Sequence, residues 1–354
     1  MPAPLRAKAT ADLRDWPGRA PAGAPDLLAP PSPGQFAAFR SGPRFLITVD
    51  TEEEFDWSGP LDRERHSLSA LPALRTFQAF CEGHGVAPVY MIDYPVAASA
   101  EAAEVLGPAV AAGRAELGLQ LHPWVTPPFV EEVNQYNSFA GNLPAQVEQA
   151  KLAALIAEVR AHYGCTPGIY RAGRYGVGPR TAAMLIEAGV AIDSSVRCLF
   201  DYHGGGGPDF SRHPARPYWV DPQDRLLELP LTTVWCGAGR RLGRGVSRAL
   251  HARSGPARAM LARARLLERV PLTPEGTTLA EGLRGIDAAL AERLPILVFS
   301  FHSPSLVPGH TPYVRDRADV ARLYAWWEGV LAHLAERGVQ PTSVREIIAS
   351  VALA

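Results

Sequence analysis

Acidic, imidazole and guanidinium side chains recur in this chain directly after short apolar runs. Asp50 and Glu52 follow the first run, His122 follows the third, Arg171 the fourth and His302 the last. A carboxylate can take a proton from water, an imidazole can protonate a leaving group, and a neighbouring arginine keeps the carboxylate ionised. A second carboxylate with a histidine can hold a divalent metal that acidifies water. These residue types indicate hydrolysis.

The apolar runs and the segments between them must position these residues. From residue 44 onward, short apolar runs alternate with longer amphipathic ones, which is typical of a mostly parallel α/β sheet. The predicted strands are residues 45–49, 87–92, 115–121, 167–170, 190–192, 226–229 and 296–301. The predicted helices are residues 68–82, 98–112, 144–162, 179–187, 278–293 and 316–337, and a short segment of residues 342–349 follows the last one. Because the carboxyl ends of parallel strands share one face, we expect the polar residues to meet there.

Each of these residues also has a structural explanation. An acid after a strand is often a helix N-cap, and Asp50 or Glu52 could have that role. A single histidine after a buried strand is more often a hydrogen-bonding residue than a catalyst, and an arginine pair often belongs to a salt-bridge network. The occurrence of all of them after strands of one sheet favours a common site.

The composition is that of a folded protein without a strong charge. The 354 residues are 47% hydrophobic and 20% charged, with a formal net charge of -1. A nearly neutral chain argues against a dedicated nucleic-acid binder, and no run reaches the ~18 apolar residues of a transmembrane segment. The first 20 residues lack the apolar core of a secretory signal, and the four cysteines are widely spaced. We expect a cytoplasmic protein.

Two segments differ from the rest of the chain. Residues 1–43 are a Pro/Ala-rich lead-in, flexible or wrapped on the surface, and residues 44–354 form the single catalytic domain. Residues 236–275 are an Arg-rich insertion, whose first part, 236–270, holds nine arginines. Two interpretations of residues 240–269 stay open: contact with an anionic surface, such as a glycan or lipid head group, or a solvated face.

Five motifs then occur in one order. They are the acidic run 50–54 after Thr48-Val49, the Glu-x-Gly-x-x-x-His-Pro run 116–123, the Arg-x-x-Arg-Tyr run 171–175, Glu228-Leu229-Pro230, and Phe299-Ser300-Phe301-His302-Ser303. This ordered set resembles the NodB-type polysaccharide deacetylases, carbohydrate esterase family four. The resemblance runs from about residue 44 to residue 310. It is closest to the WalW-type branch, through residues 120–128, 141–144 and 299–304.

The resemblance implies a fold and three catalytic roles. The fold is α/β, a distorted (β/α)7-type barrel in one domain. Asp50 matches the family's general base, Arg171 the arginine that pairs with that base, and His302 the general acid.

The resemblance also implies a divalent metal site, for Zn²⁺ or a similar ion, in which this chain departs from the family. The family's second aspartate is Thr51 here, and the first histidine of its metal motif is Gln120. The candidate ligands are therefore Glu52, Gln120 and His122, and a site that works without metal is the alternative.

The remaining candidate residues would contact a carbohydrate substrate. Three lie in or beside the long loop of residues 124–143 and two follow the last strand: Trp124, Tyr136, Phe139, His310 and Tyr313. Three more come from the family's motifs: Arg174, Tyr175 and Glu228.

The expected function is hydrolytic removal of an N-acetyl or other acyl group from an amino sugar of a polysaccharide or its precursor. Two alternatives stay open. One is a metal-independent C–N amide hydrolase acting on a small molecule. The other is a non-catalytic glycan-binding pseudoenzyme.

Overall fold

Seven short parallel strands form the centre of the computed structural model, which describes residues 24–40, 42–221, 223, 225–242, 264 and 266–352. They are β1 (Arg44–Thr51), β2 (Val89–Ile92), β3 (Glu116–Leu121), β4 (Ile169–Ala172), β5 (Ile192–Asp193), β7 (Leu227–Glu228) and β10 (Ile296–His302). Their order in the sheet is β10-β1-β2-β3-β4-β5-β7. Two short strands extend this sheet: β6 (Tyr218–Trp219) is antiparallel to β7, and β11 (Gln340–Pro341) is parallel to β1.

The sheet curls, and an irregular segment spans the gap between β7 and β10. The Thr232 amide donates to the Val298 carbonyl at 3.2 Å. The Val298 amide donates to Thr232 Oγ1 at 2.9 Å. A separate ribbon of β8 (Thr233–Cys236) and β9 (Glu268–Pro271) continues from this point. The predicted α/β fold, a distorted barrel with seven parallel strands in one domain, is confirmed.

Eight helices are described around the strands. They are α1 (Ala73–Gly83), α2 (Tyr94–Ala97), α3 (Ala100–Ala111), α4 (Ala145–Tyr163), α5 (Thr181–Glu187), α6 (Leu279–Ala291), α7 (Arg317–Glu336) and α8 (Val344–Ala352). Most lie within a few residues of the predicted helices. The predicted start of α1 at residue 68 is wrong, because the helix begins after Pro72, which is its N-cap.

Apolar side chains fill the barrel at the end opposite the carboxyl ends of the strands. Alternate strand residues such as Leu46, Met91 and Val298 point inward and are buried together. Val344 and Ile347 of α8 belong to the same cluster, and the Val344 amide donates to the Glu116 carboxylate of β3. Because this end is filled, a cavity can form only toward the carboxyl ends of the strands.

The described part of the lead-in packs against the edge of the sheet. Leu27 is fully buried, the Ala37 amide donates to the Pro217 carbonyl at 3.1 Å, and the Gln35 side chain donates to the Trp219 carbonyl at 3.0 Å. These contacts fit the surface-wrapped interpretation for residues 24–40.

Most of the Arg-rich insertion, residues 243–263 and 265, lies outside the described residues. The predicted anionic contact of residues 240–269 therefore stays a prediction. Among the described helices, none is long and apolar enough to cross a membrane.

His213 provides a pH test of the fold. Its side chain is fully buried beside Phe210, with the two ring centroids 5.1 Å apart. Burial lowers the pKa of His213 to about 4 from the ordinary 6.5. The unfolded chain therefore binds more protons between pH 6.5 and 4, so stability is lost as the pH falls through this window, by up to about 1.4 kcal/mol per pH unit.

As the pH falls, the free energy of unfolding of the wild type should decrease relative to that of His213→Leu, because leucine does not titrate. Urea unfolding of both proteins at pH 7.5, 6.0 and 5.0 measures the difference, and other titrating groups cancel. A difference in free energy of unfolding that stays constant with pH would contradict the assignment.

Candidate active site

A cavity of about 670 Å³ opens at the carboxyl ends of the strands. Its wall includes Asp50, Glu52, Gln120, His122, Arg171 and His302, so it brings together all six residues predicted for catalysis or metal binding. The register explains this for two pairs, because Asp50 of β1 lies opposite His302 of β10, and Gln120 of β3 opposite Arg171 of β4.

Asp50 and Arg171 form a buried ion pair inside the barrel. Arg171 Nη1 donates to Asp50 Oδ1. The rest of the guanidinium donates to Thr48 Oγ1 at 2.9 Å, to the Ser194 carbonyl at 3.0 Å and to Ser194 Oγ at 3.2 Å. Arg171 is fully buried. The guanidinium is thus fixed by neutral oxygens, and its charge holds the Asp50 carboxylate in one orientation.

His302 faces Asp50 from the neighbouring strand. Its Nε2 lies 3.8 Å from Asp50 Oδ2, and its Nδ1 donates to Glu275 Oε2 at 2.7 Å. Burial opposes the charged ring, but the carboxylates of Glu275, Glu52 and Asp50 outweigh it and raise the pKa of His302 to about 10. The ring is therefore an imidazolium at neutral pH, and its Nε2 proton is available to the cavity.

Glu275 was not predicted from the sequence. It lies in the turn between β9 and α6, and its Oε1 accepts from the His302 amide at 3.1 Å and from Ser305 Oγ at 2.6 Å. The signal that could have identified it is an acid soon after a strand, the same signal that singled out Asp50. It was missed because β9 itself was not predicted.

Glu52, Gln120 and His122 meet in the wall of the cavity. Glu52 Oε2 lies 3.5 Å from His122 Nε2 and 3.3 Å from Gln120 Nε2. Gln120 Oε1 is buried and has no hydrogen-bond partner among the described residues. Burial raises the pKa of Glu52 to about 8. A carboxylate, an imidazole nitrogen and an unpartnered amide oxygen form a donor set that fits a divalent cation.

Two further carboxylates lie behind His122 and outside the cavity wall. His122 Nδ1 is 2.8 Å from Glu53 Oε2, and the Glu53 amide donates to Asp93 Oδ2 at 2.7 Å. Asp93 also caps α2 through the Val96 amide at 2.9 Å. Burial raises the pKa of Glu53 to about 7 and that of Asp93 well above its ordinary value.

Glu53, Asp93 and His122 Nδ1 also lie close enough to form a second candidate cation cluster. We place a proton on His122 Nδ1, which donates it to Glu53 Oε2, because these two atoms lie at hydrogen-bond distance. This assignment leaves Nε2 free on the side of Glu52 and Gln120. A metal-binding histidine is commonly oriented by a carboxylate in this way.

Aromatic rings form one wall of the cavity. Trp57 lies edge-on to His302 with ring centroids 4.9 Å apart, and edge-on to Tyr313 at 5.9 Å. Phe55 stacks on Trp57 at 5.5 Å. Trp124 stacks on His122 at 4.4 Å and donates from Nε1 to Glu53 Oε1 at 2.7 Å. Phe55 and Trp57 were not predicted, because the acids beside them suggested only catalysis or metal binding.

The other predicted contact residues divide into two groups. Five line the cavity: Trp124, Phe139, Arg174, Tyr175 and Tyr313. Glu228, Tyr136 and His310 do not, which corrects their predicted placement. Glu228 is fully buried and accepts from the Val196 amide at 3.2 Å, Tyr136 is exposed on the long loop, and His310 lies 3.3 Å from Ser69 Oγ.

A buried lysine anchors the long loop. Lys151 of α4 is fully buried, and its Nζ donates to the carbonyls of Pro123 at 2.9 Å and Pro128 at 2.8 Å. The same atom lies 3.1 Å from the Glu131 carboxylate. The ammonium group therefore holds the start of the loop beside the cavity.

The chain is similar in fold to several solved structures, all at low sequence identity. No protein-family model matches the chain, and no curated protein matches it. Three matching solved structures have TM-scores from 0.39 to 0.47, so the assignment of function depends on the residues of the site.

One match is a probable polysaccharide deacetylase from Pseudomonas aeruginosa PAO1, 16% identical, with 88% of this chain and 91% of that chain covered and a TM-score of 0.44. Another is a family 4 acetyl xylan esterase from Clostridium thermocellum, 11% identical, covering 86% and 90%, at 0.39. The third is a GH57-type branching enzyme from Pyrococcus horikoshii, 10% identical, covering 86% and 70%, at 0.47. The WalW-type branch stays a prediction.

The donor set around Glu52 predicts cation binding that can be measured without turnover. Adding Zn²⁺ or Co²⁺ should raise the melting temperature of the wild type. The free energy of unfolding should increase by about 2.7 kcal/mol at a free metal concentration 100 times the Kd. Glu52→Gln should abolish the rise. Glu53→Gln should weaken binding by about 10- to 100-fold, because it removes the acceptor that orients His122.

Glu64→Gln is the matched control, since Glu64 is exposed on the same segment. It should respond to metal as the wild type does. Metal binding that persists in Glu52→Gln would instead assign the cation to Glu53 and Asp93.

Proposed function

We propose that this protein hydrolyses the N-acyl bond of an acylated amino sugar in a glycan or glycan precursor. The observation that carries the proposal is the pair formed by Asp50 and His302, 3.8 Å apart across neighbouring strands. One is a carboxylate fixed by Arg171, and the other is an imidazolium fixed by Glu275. A carboxylate and an imidazolium therefore face the same cavity.

The reaction proceeds in two stages. Asp50 takes a proton from water as the water oxygen bonds to the acyl carbon, giving a tetrahedral intermediate. The C–N bond then breaks, and the electron pair on nitrogen takes the Nε2 proton of His302. The products are a carboxylic acid and a free amine. Glu275 keeps His302 charged until the transfer, and Arg171 keeps Asp50 in place.

Glu52, Gln120 and His122 would hold a divalent metal beside these groups. When bound, the metal would polarise the acyl carbonyl and acidify water.

The shape and lining of the cavity support a sugar substrate. A volume of about 670 Å³ is that of a small-molecule site. Trp57, Tyr313 and Phe139 present rings that can pack against the apolar faces of a sugar, while polar groups at the base reach its amide. A small-molecule amide hydrolase that works without metal is the second candidate, supported by the Gln120 amide already donating to Glu52.

Asp50→Asn should remove acetate release from N-acetylated amino sugars and their oligomers. The loss should be at least 100-fold in kcat, since general base catalysis contributes about 10²- to 10⁴-fold. Acetate release by the purified protein is the measurement. Because Asp50 is also the partner of buried Arg171, the melting temperature of the variant is measured alongside.

Asp209→Asn is the control, since Asp209 is exposed and an asparagine can still accept from the Ser211 amide. It should keep full activity. Equal release by wild type and Asp50→Asn would overturn the mechanism. Sugar binding by a folded wild type with no release at all would instead favour the non-catalytic alternative.

The His302–Glu275 pair predicts the alkaline limb of the pH profile. A general acid with a pKa of about 10 stays protonated through neutral pH, so kcat should fall only as the pH rises toward 10. Glu275→Gln removes the nearest carboxylate, which lowers the pKa of His302 and moves this limb to lower pH. The profile of kcat from pH 6 to 10.5 for both proteins is the measurement.

Glu281→Gln serves as the control, because Glu281 lies in the first turn of α6 and does not contact His302. Its alkaline limb should coincide with that of the wild type. An unchanged limb in Glu275→Gln would contradict the assignment of His302 as the acid.

A further inference from the structure

Two arginines line the cavity beyond the catalytic groups. Arg174 follows β4 and Arg197 follows β5, and both side chains are half-buried in the cavity wall. Arg174 was predicted from the sequence as a substrate contact, whereas Arg197 was not. The proposed reaction uses neither.

Neither guanidinium has a carboxylate partner within ion-pair distance in the described part of the chain. Arg174 donates to Ser138 Oγ and lies over the Phe139 ring at 4.5 Å. Arg197 donates to Tyr202 Oη at 3.2 Å and lies 4.0 Å from the Phe200 ring centroid. Their polar and aromatic contacts are thus with neutral groups.

Two carboxylates of the cavity wall already have a cationic partner. Asp50 is held by Arg171, and Glu275 is held by His302. Glu52 and Asp56 also line the cavity, but among the described residues neither lies within ion-pair distance of Arg174 or Arg197. Partial burial of charges of one sign is unfavourable unless a group of opposite charge binds to them.

The backbone holds Arg174 at the cavity in a strained conformation. Arg174 and Tyr175 have φ angles of 55° and 62°, two consecutive non-glycine residues in the left-handed region. Such strain persists where the surrounding structure enforces it and is concentrated at functional sites. This observation is independent of charge and points to the same residue.

We propose that Arg174 and Arg197 form a subsite for an anionic group of the substrate, a carboxylate or a phosphate. The guanidinium fork matches both groups, because its parallel N–H donors can bind two oxygens at once. Tyr175 connects the subsite to the reaction centre, since it lines the cavity and its ring lies 5.4 Å from the Arg197 guanidinium. The substrate class is an acidic acylated amino sugar, and this assignment rests on the proposed function.

Binding to the whole protein tests the subsite separately from turnover. Isothermal titration with N-acetylglucosamine, N-acetylglucosamine 6-phosphate and N-acetylmuramic acid compares a neutral sugar with a phosphorylated and a carboxylated one. At least one acidic sugar should bind 10-fold or more tightly than the neutral sugar, and the preference should decrease with added salt. Whichever acidic sugar shows the preference identifies the anion.

Arg197→Gln and Arg174→Gln should each reduce the preference at least 5-fold and leave the affinity for the neutral sugar nearly unchanged. Arg212→Gln, an exposed arginine away from the cavity wall, is the matched control and should keep the preference. Melting temperatures show which variants are folded, and the comparison of sugars on the wild type needs no variant.

Equal wild-type affinity for all three sugars, or no binding of any, overturns the subsite. A preference that survives in both folded arginine variants overturns its assignment to these residues. Failure of the proposed function gives a different result: the preference is present, and acetate is released from none of the sugars.

Discussion

The buried ion pair between Asp50 and Arg171 is the interaction on which the rest of the site depends. Arg171 reaches across the barrel interior from β4 to Thr48 and Asp50 of β1 and to Ser194 after β5. A guanidinium with no contact with water is stable only if its donors are used and its charge is balanced. The carboxylate that completes this balance is therefore held in place whether or not a substrate is present.

Several buried carboxyl groups surround the candidate metal ligand His122. Glu52, Glu53 and Asp93 surround His122, and burial raises the pKa of all three carboxyl groups. Without a cation, such a cluster tends to hold protons. A bound divalent ion would release them, so cation binding at this site would be coupled to pH. Gln120 adds only a neutral amide oxygen to these acidic surroundings.

The sequence predicts those residues of the site that lie on the longer strands and misses those that follow short ones. β1 and β10, of eight and seven residues, are apolar strands that end in polar residues, so Asp50 and His302 could be placed from the pattern. The register between strands then brings the predicted residues together. Glu275 and Arg197 were missed because they follow β9 and β5, of four and two residues, in segments where periodicity carries little information. Glu228 was misplaced because a motif does not show which face of a two-residue strand turns inward.

Lys151 has a consequence for chemical labelling. The chain contains two lysines, Lys8 and Lys151, and the Lys151 ammonium group is enclosed by backbone carbonyls beneath the long loop. An amine-reactive ester has no path to it while those contacts hold. Its acylation would therefore record the moments at which the loop detaches from α4, and the rate of that single modification would report this local opening in an otherwise native molecule.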